Sequence, residues 1–459
     1  MLRKALAYRE THQQRFVQDL SGLVRIPSCS FPGFPPAELQ RSAEAVAELC
    51  GRAGLEHVKL LRFPDAPPYV YGDWLHAPRR PTVLLYAHHD VQPPGREELW
   101  KSPAFSPAVR GGRLYGRGAC DDKAGICLHT AAVESFLQGA GKLPLNVKVL
   151  IEGEEEVNSR HLPALLEKNA RLLQSDIIAI ADTGNFETGL PSITTSLRGL
   201  VAFDVTVRVT ERSLHSGMWG GPLPDPVQAL SKMLASLTDA YGRIAVPGIY
   251  RDVRPLSAVE RKSFASLRYG ETDFRRQASA LPGVQTVGGK SAPAVKLWRE
   301  PTLAVNAIQA SSRKDCANVI NESAWCHLGL RTVPDMHAGK TAKLLMGHLK
   351  RMAPWGVKVE FSSPSLADWW LADASAPVFQ AAKRALSQGY GRTAAFIGAG
   401  GSIGFLEPFC KRMGGAPAIL TGVEDPLSNP HSENESLHLG DFEKGIRSSI
   451  HLLDELSRI

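Results

Sequence analysis

The stretch Thr82-Val83-Leu84-Leu85-Tyr86, followed at once by Ala87-His88-His89-Asp90, joins a short apolar run to two imidazoles and a carboxylate. The run follows Pro81 and reads as a buried strand. Other segments repeat the arrangement. Val147-Lys148-Val149-Leu150-Ile151 leads into Glu154-Glu155-Glu156, Ile177-Ile178-Ala179-Ile180-Ala181 ends at Asp182, and Ala418-Ile419-Leu420 has His431 downstream. Between the first two runs, Gly116, Gly118 and Asp121 precede Ile126 to Leu137, whose composition suits a helix. Strands that alternate with helical segments predict an α/β fold with a mostly parallel central sheet, where ligands gather beyond the carboxyl ends of the strands. The acidic and histidine motifs share that phase.

A chain of 459 residues exceeds what one hydrophobic core usually serves, so two domains are expected. A second compositional unit begins near Arg198. Val201, Phe203, Val205, Val207 and Val209 alternate at period two, the pattern of a half-buried antiparallel strand. Asp225-Pro226 opens a helix through Leu237, and Ala324 to Val333, Thr341 to Met352 and Val357 to Phe361 read as strand, helix and strand. This resembles a split βαβ sandwich, an α+β domain of ferredoxin-like type over 198–375, inserted into a discontinuous first domain of 1–197 and 376–459. Pro377 to Leu386 turns helical again as the chain returns. The segment from about Tyr241 to Pro293 has irregular periodicity and reads as a surface excursion.

Composition narrows the function classes. The apolar fraction is 43% and the charged fraction 22%, ordinary for a globular protein. The net charge of +7 is dispersed, without a block of like charges, which argues against nucleic acid and mildly favours anionic substrates. Seven cysteines without a C-x-x-C pair indicate neither a disulfide framework nor a zinc knuckle. Arg3, Lys4, Arg9, Glu10 and Arg15 interrupt the first residues, and no apolar run reaches bilayer length, so a cytoplasmic protein away from membranes is expected.

His88, Asp121, Glu156, Asp182 and His431 are two imidazoles and three carboxylates, enough to hold a pair of divalent cations if they converge. Imidazole and carboxylate ligands suit zinc, manganese or cobalt, and the lack of cysteine argues against a purely structural zinc site. A carboxylate between two cations, with a histidine and one more carboxylate on each side, leaves room for an activated water. Amide hydrolysis then needs a free carboxylate to take a proton from water and deliver one to the leaving amine. Glu155, beside a ligand and not needed for coordination, fits that role.

His88-His89-Asp90, Gly116-Arg117-Gly118-Ala119-Cys120-Asp121-Asp122-Lys123, Glu152-Gly153-Glu154-Glu155-Glu156 and His431-Ser432-Glu433-Asn434-Glu435 stand in an order that resembles the M20 metallopeptidases. Within them, the chain is similar to the dipeptidases of the carnosinase and cytosolic non-specific dipeptidase group. The resemblance implies that Asp121 bridges two metal ions, zinc foremost, with His88 and Asp182 completing one site and Glu156 and His431 the other. It makes Asp90 the residue that orients His88 and Glu155 the general base and acid. Leu214-His215-Ser216-Gly217 looks like the segment whose histidine reaches the neighbouring subunit's active site, which implies a homodimer with His215 acting in trans and an inserted domain that serves as lid and dimerisation unit. Asn318, Arg331, Gly401 and Ser402 resemble positions that hold the substrate backbone and its terminal carboxylate.

The chain departs from that pattern at Ala124, Asn158 and Asn318, and Ile397-Gly398-Ala399 stands where those dipeptidases have an Arg-Glu pair before Gly-Gly-Ser-Ile. These changes leave the metal set intact and bear on substrate choice. The expected activity is cleavage of dipeptides or short amides with a free carboxylate. The alternatives are an N-acyl-amino-acid amidohydrolase, a carboxypeptidase, and a non-catalytic metal- or peptide-binding protein, the last disfavoured because a binding module needs no Glu155.

Overall fold

A computed structural model describes residues 1–459. The chain divides into two compact units, one of 1–195, 372–397 and 405–459, the other of 196–371 and 398–404. The dividing points lie a few residues before the expected 197/198 and 375/376. Residues 398–404, which carry Gly401 and Ser402, fall in the second unit.

The first unit is built around the opening stretch. Strand Thr82–His88 lies between Asn146–Glu152 and Ile177–Ile180, parallel to both, and Ala418–Leu420 extends the parallel set beside Ile177–Ile180. Antiparallel strands Tyr69–Trp74 and Glu56–Leu61 follow outside Asn146–Glu152. Val83, Leu85 and Ala87 enter the main core with Leu20, Val46, Val133, Phe136, Ile446 and Ile450 from the surrounding helices. The alternate residue Tyr86 meets Phe405 and Phe409, with ring centroids 5.1 and 5.9 Å away. A strand covered on both faces has no use for a polar alternation, which is why this run is continuously apolar.

Helix Lys123–Ala140 extends three residues beyond the expected span at each end and is buried from Lys123 to Phe136. Gly141 ends it at φ 76°, the left-handed conformation that costs glycine least. At its start, a Cβ on Gly125 would lie 2.6 Å from the carbonyl oxygen of Ala181, so only glycine lets this helix approach the end of strand Ile177–Ile180. A small antiparallel sheet of Ser436–His438, Arg113–Tyr115 and Ala108–Arg110 brings the last motif of the chain beside the second.

In the second unit the sheet order is Thr302–Gln309, Ser323–Thr332, Gly199–Arg208, Lys358–Phe361, all antiparallel. With helices Pro226–Ala235 and Ala338–Met352 inserted in chain order, this is the β-α-β-β-α-β arrangement of a ferredoxin-like domain. Val201, Phe203, Val205 and Val207 meet Ala324, Cys326, Leu328 and Leu330 in one core. The expected helix start at Asp225-Pro226 is present, with the Asp225 carboxylate accepting from the Gln228 N–H at 2.9 Å.

The excursion after Tyr241 is more ordered than expected. It holds helices Ala258–Ser266 and Glu271–Gln277, of nine and seven residues, and runs into a third, Pro293–Arg299. The first opens with a reciprocal cap in which Ser257 and Glu260 satisfy each other's backbone N–H groups. Helices of two turns carry too few apolar repeats to reveal a period.

Candidate metal centre

Each residue of the centre sits where a strand or helix ends. His88 closes strand Thr82–His88, Asp182 follows Ile177–Ile180 by two residues, Glu155 and Glu156 form a short turn after Asn146–Glu152, and Asp121 precedes helix Lys123–Ala140. His431 arrives on the loop before strand Ser436–His438, with φ 61°.

Asp121 stands between two histidines. Its Oδ1 is 3.1 Å from Nε2 of His88 and its Oδ2 is 2.9 Å from Nε2 of His431. Asp182 lies 3.6 Å from the same nitrogen of His88, and Glu156 lies 3.3 Å from that of His431. The ligand atoms of His88, Asp121 and Asp182 are mutually within 4.8 Å, and so are those of Asp121, Glu156 and His431. One carboxylate is thus shared by two groups of three.

The surroundings fix these side chains. Asp90 meets Nδ1 of His88 at 3.4 Å and accepts from the backbone N–H groups of Glu155 and Glu156 at 3.1 Å each. One buried carboxylate therefore orients the histidine and pins the glutamate turn. Ser30 donates to Asp90 at 2.7 Å, Gln92 donates to Glu156 at 2.7 Å, and Asp122 accepts from the His88 N–H at 3.2 Å. Glu435, fully buried, accepts from Arg117, from the N–H of Gly118 and Cys120, and at 3.2 Å from the N–H of Asp121 itself. The run Glu154-Glu155-Glu156 splits by role. Glu154 turns inward to Tyr69 and His161, whereas the half-buried Glu155 makes no side-chain hydrogen bond within the chain.

The electrostatics call for cations. Burial drives the Glu155 carboxyl well above the ordinary carboxylate range, and the charges of Asp182 and Glu156 add to it. Burial and Asp121 push Glu156 up to about 8. Asp122 and Glu424 are raised in the same way, by burial first and neighbouring carboxylates next. Burial lowers the His88 imidazole, yet Asp121 and Asp182 outweigh it and hold the ring well above its usual value. Two imidazoles cannot neutralise this many carboxylates in a space of a few ångströms. Divalent cations would do so, and an oxygen and nitrogen donor set without cysteine suits zinc or manganese.

The structure brings together seven of the expected residues: His88, Asp90, Asp121, Glu155, Glu156, Asp182 and His431. The other five belong to the second unit. His215 lies in a two-residue strand paired with Val319–Ile320, and the N–H of Ser216 donates to the carbonyl of Asn318 at 2.9 Å, so His215 and Asn318 are neighbours. The exposed His215 accepts the Gly217 N–H on Nδ1, which leaves Nε2–H as the donor of the neutral ring. Arg331 donates to Ser402 at 2.9 Å, Ser402 donates to the Arg198 carbonyl, and the Gly401 carbonyl accepts the Arg198 N–H at 3.1 Å.

Sequence reasoning missed Ser30, Gln92, Asp122, Glu424 and Glu435. Glu424 had a signal: it follows strand Ala418–Leu420 by four residues, in the phase of the other acids. Asp122 and Glu435 lay within quoted motifs. Ser30 had none, because its contact with Asp90 spans 60 residues.

Residues 84–455 match the model of peptidase family M20/M25/M40. The chain is similar to the cysteinylglycine-S-conjugate dipeptidase of Corynebacterium striatum, 33% identical over 360 residues that cover 78% of this chain and 77% of the relative. It is similar to the Cys-Gly metallodipeptidase dug1 of Schizosaccharomyces pombe, 30% identical over 400 residues, or 86% and 83% of the two chains. The crystal structure of human carnosine dipeptidase 1 superposes with a TM-score of 0.83 at 28% identity, covering 100% of this chain and 99% of that one.

Proposed function

The chain belongs to peptidase family M20/M25/M40, and from that premise we propose that it is a dinuclear metallodipeptidase, cleaving the amide bond of dipeptides or short peptide-like substrates that carry a free carboxylate. The observation that carries this reading is Asp121, whose two oxygens each face a histidine of a separate ligand group, with the unengaged Glu155 carboxylate beside Glu156.

His88, Asp121 and Asp182 would hold one ion, Asp121, Glu156 and His431 the other, with zinc the first choice and manganese or cobalt as substitutes. Ions there would acidify a water and polarise the scissile carbonyl. Glu155 takes a proton from that water as its oxygen attacks the amide carbon, then delivers a proton to the nitrogen as the C–N bond breaks, releasing an acid and an amine. Asp90 keeps His88 and the Glu155 backbone in register. Arg331, with Ser402, Gly401 and Asn318, receives the substrate carboxylate and backbone.

His215 Nε2–H would donate to the developing oxyanion from a second copy of the chain, making a homodimer the working form. No helix is long and apolar enough to cross a membrane. Seven free cysteines, six of them buried, fit a reducing compartment such as the cytoplasm.

A second reading, an N-acyl-amino-acid amidohydrolase, draws on Ile397-Gly398-Ala399, which offers no carboxylate to a free amino group. Metal analysis of the purified protein, followed by dipeptides and their N-acetylated analogues with each metal restored, separates the two. Turnover of only the acetylated compounds would replace the dipeptidase assignment.

A further inference from the structure

Two arginines of the second unit carry no acidic partner. Arg198, 8% exposed, donates to the Gly400 carbonyl at 3.0 Å and to Thr302 Oγ1 at 2.8 Å, while Arg331 donates to Ser402. Burial and the charge of Arg331 bring the Arg198 guanidinium down to about 10. Ser402 accepts from the Arg331 guanidinium and donates to the Arg198 backbone carbonyl, and two guanidiniums without acidic partners suit an anion.

Thr302 also lines a cavity of about 310 Å³, walled by Phe274, Val284 and Val287 of the excursion and by Pro293 and Leu297 of the helix that follows. The Leu297 carbonyl and the Arg198 guanidinium both flank Gly400, at 3.7 and 3.0 Å from where a Cβ would stand. The apolar wall and the Arg198 guanidinium therefore adjoin one another at Gly400. Arg275 and Lys296 reach the cavity with their heads turned to the backbone: Arg275 donates to the carbonyls of Val284 and Leu281, and Lys296 gives one hydrogen bond to that of Val287 at 3.0 Å. Glu271, at the exposed start of its helix, is the acidic residue of the lining. A cavity of about 150 Å³ accommodates benzene, so this one has room for a branched or aromatic side chain.

We propose that this cavity is a side-chain subsite, which selects substrates whose carboxylate-bearing residue is a large apolar amino acid such as leucine or phenylalanine. Its carboxylate meets Arg331 and Arg198 while its side chain lies against Val284 and Leu297. The proposal rests on the dipeptidase reading for its substrate class.

The test uses the full-length, metal-loaded protein. The ratio of kcat/KM for Ala-Leu over Ala-Gly should be about tenfold or more, the discrimination an apolar pocket provides. Val284→Asp, at an exposed position, should bring the ratio near one, and Ala280→Trp, which fills the cavity, should do the same if the first variant does not fold. Calorimetric titration with the product amino acids gives a readout independent of turnover, with L-leucine binding about tenfold tighter than glycine and the difference erased in either variant. Equal rates for the two dipeptides with equal binding of the two amino acids would overturn the subsite and leave the hydrolase intact. Preferred binding of L-leucine without hydrolysis of any dipeptide would remove the hydrolase reading and keep the subsite.

Discussion

Glu155 differs from Asp90, Glu154 and Glu156 in having nothing to hold. Asp90, Glu154 and Glu156 each accept hydrogen bonds, whereas the Glu155 side chain is free to meet a water. Replacement by glutamine keeps its size and removes its proton chemistry, so Glu155→Gln should lower kcat by about 10²–10⁴-fold. Metal content, measured on the same preparation, should stay at the wild-type level, and unchanged turnover would end the assignment. Glu152 shows how a nearby acid can be structural instead. It is fully buried, accepts from Tyr86 at 2.6 Å and Tyr69 at 3.2 Å, and burial raises its carboxyl from 4.5 to about 8. Between those pH values the native chain keeps a proton that the unfolded chain has released. Its contribution is therefore full below about pH 4.5 and is lost as pH rises through 8. Glu152→Gln preserves an acceptor for both tyrosines, so its Tm should fall less than that of the wild type between pH 5 and 8. Parallel melting curves for the two proteins across that range would remove Glu152 as a source of the pH dependence. His88, Glu156 and Asp182 were legible in the sequence because each stands at or within four residues of the end of an apolar run, whereas Asp121 and His431 were carried by their motifs. Ser30 was not, since only the folded chain brings it to Asp90, 60 residues away.

Among the elements, the legible ones are those with a strong period or a continuous apolar run. Thr82–His88 and Gly199–Arg208 declared themselves because one is buried on both faces and the other on one. The short helices of the excursion did not, and neither did the small sheet that ties Ser436–His438 to Arg113–Tyr115. That sheet matters to the centre because it delivers Glu435 to the loop Gly116–Asp121. The Arg117–Glu435 pair, at 2.7 Å with both side chains buried, would leave an uncompensated guanidinium if Glu435 were removed. Breaking such a pair costs about 3–5 kcal/mol. Glu435→Ala should lose stability of that order in chemical denaturation. Because Asp121 N–H also loses its acceptor, competition with a chelator should show weaker metal binding. A variant that is as stable as the wild type and equally hard to strip of metal would show that the loop holds its shape without Glu435.

At the scale of the whole molecule the question is how many chains make one active site. In the proposed reading the seven residues gathered at Asp121 would supply the ligands and the base from one unit of one chain, but they include no neutral donor for the charge that develops on the substrate oxygen. His215 is such a donor, exposed and with Nε2–H free, and in the proposed homodimer it would serve the partner's site. Complementation between inactive variants tests this directly. Glu155→Gln removes the proton carrier from its own site but still offers His215 to the partner, whereas His215→Ala has the reverse defect. A mixed dimer then contains one site lacking both groups and one site with both intact. After subunit exchange at equal concentrations, half of the dimers are mixed and each has one working site of two, so activity should return to about a quarter of wild type. The return should depend on exchange and be absent when the two proteins are assayed immediately after mixing. If both variants are dimeric, exchange freely and never regain activity, His215 serves its own chain, and dimerisation has no part in the chemistry.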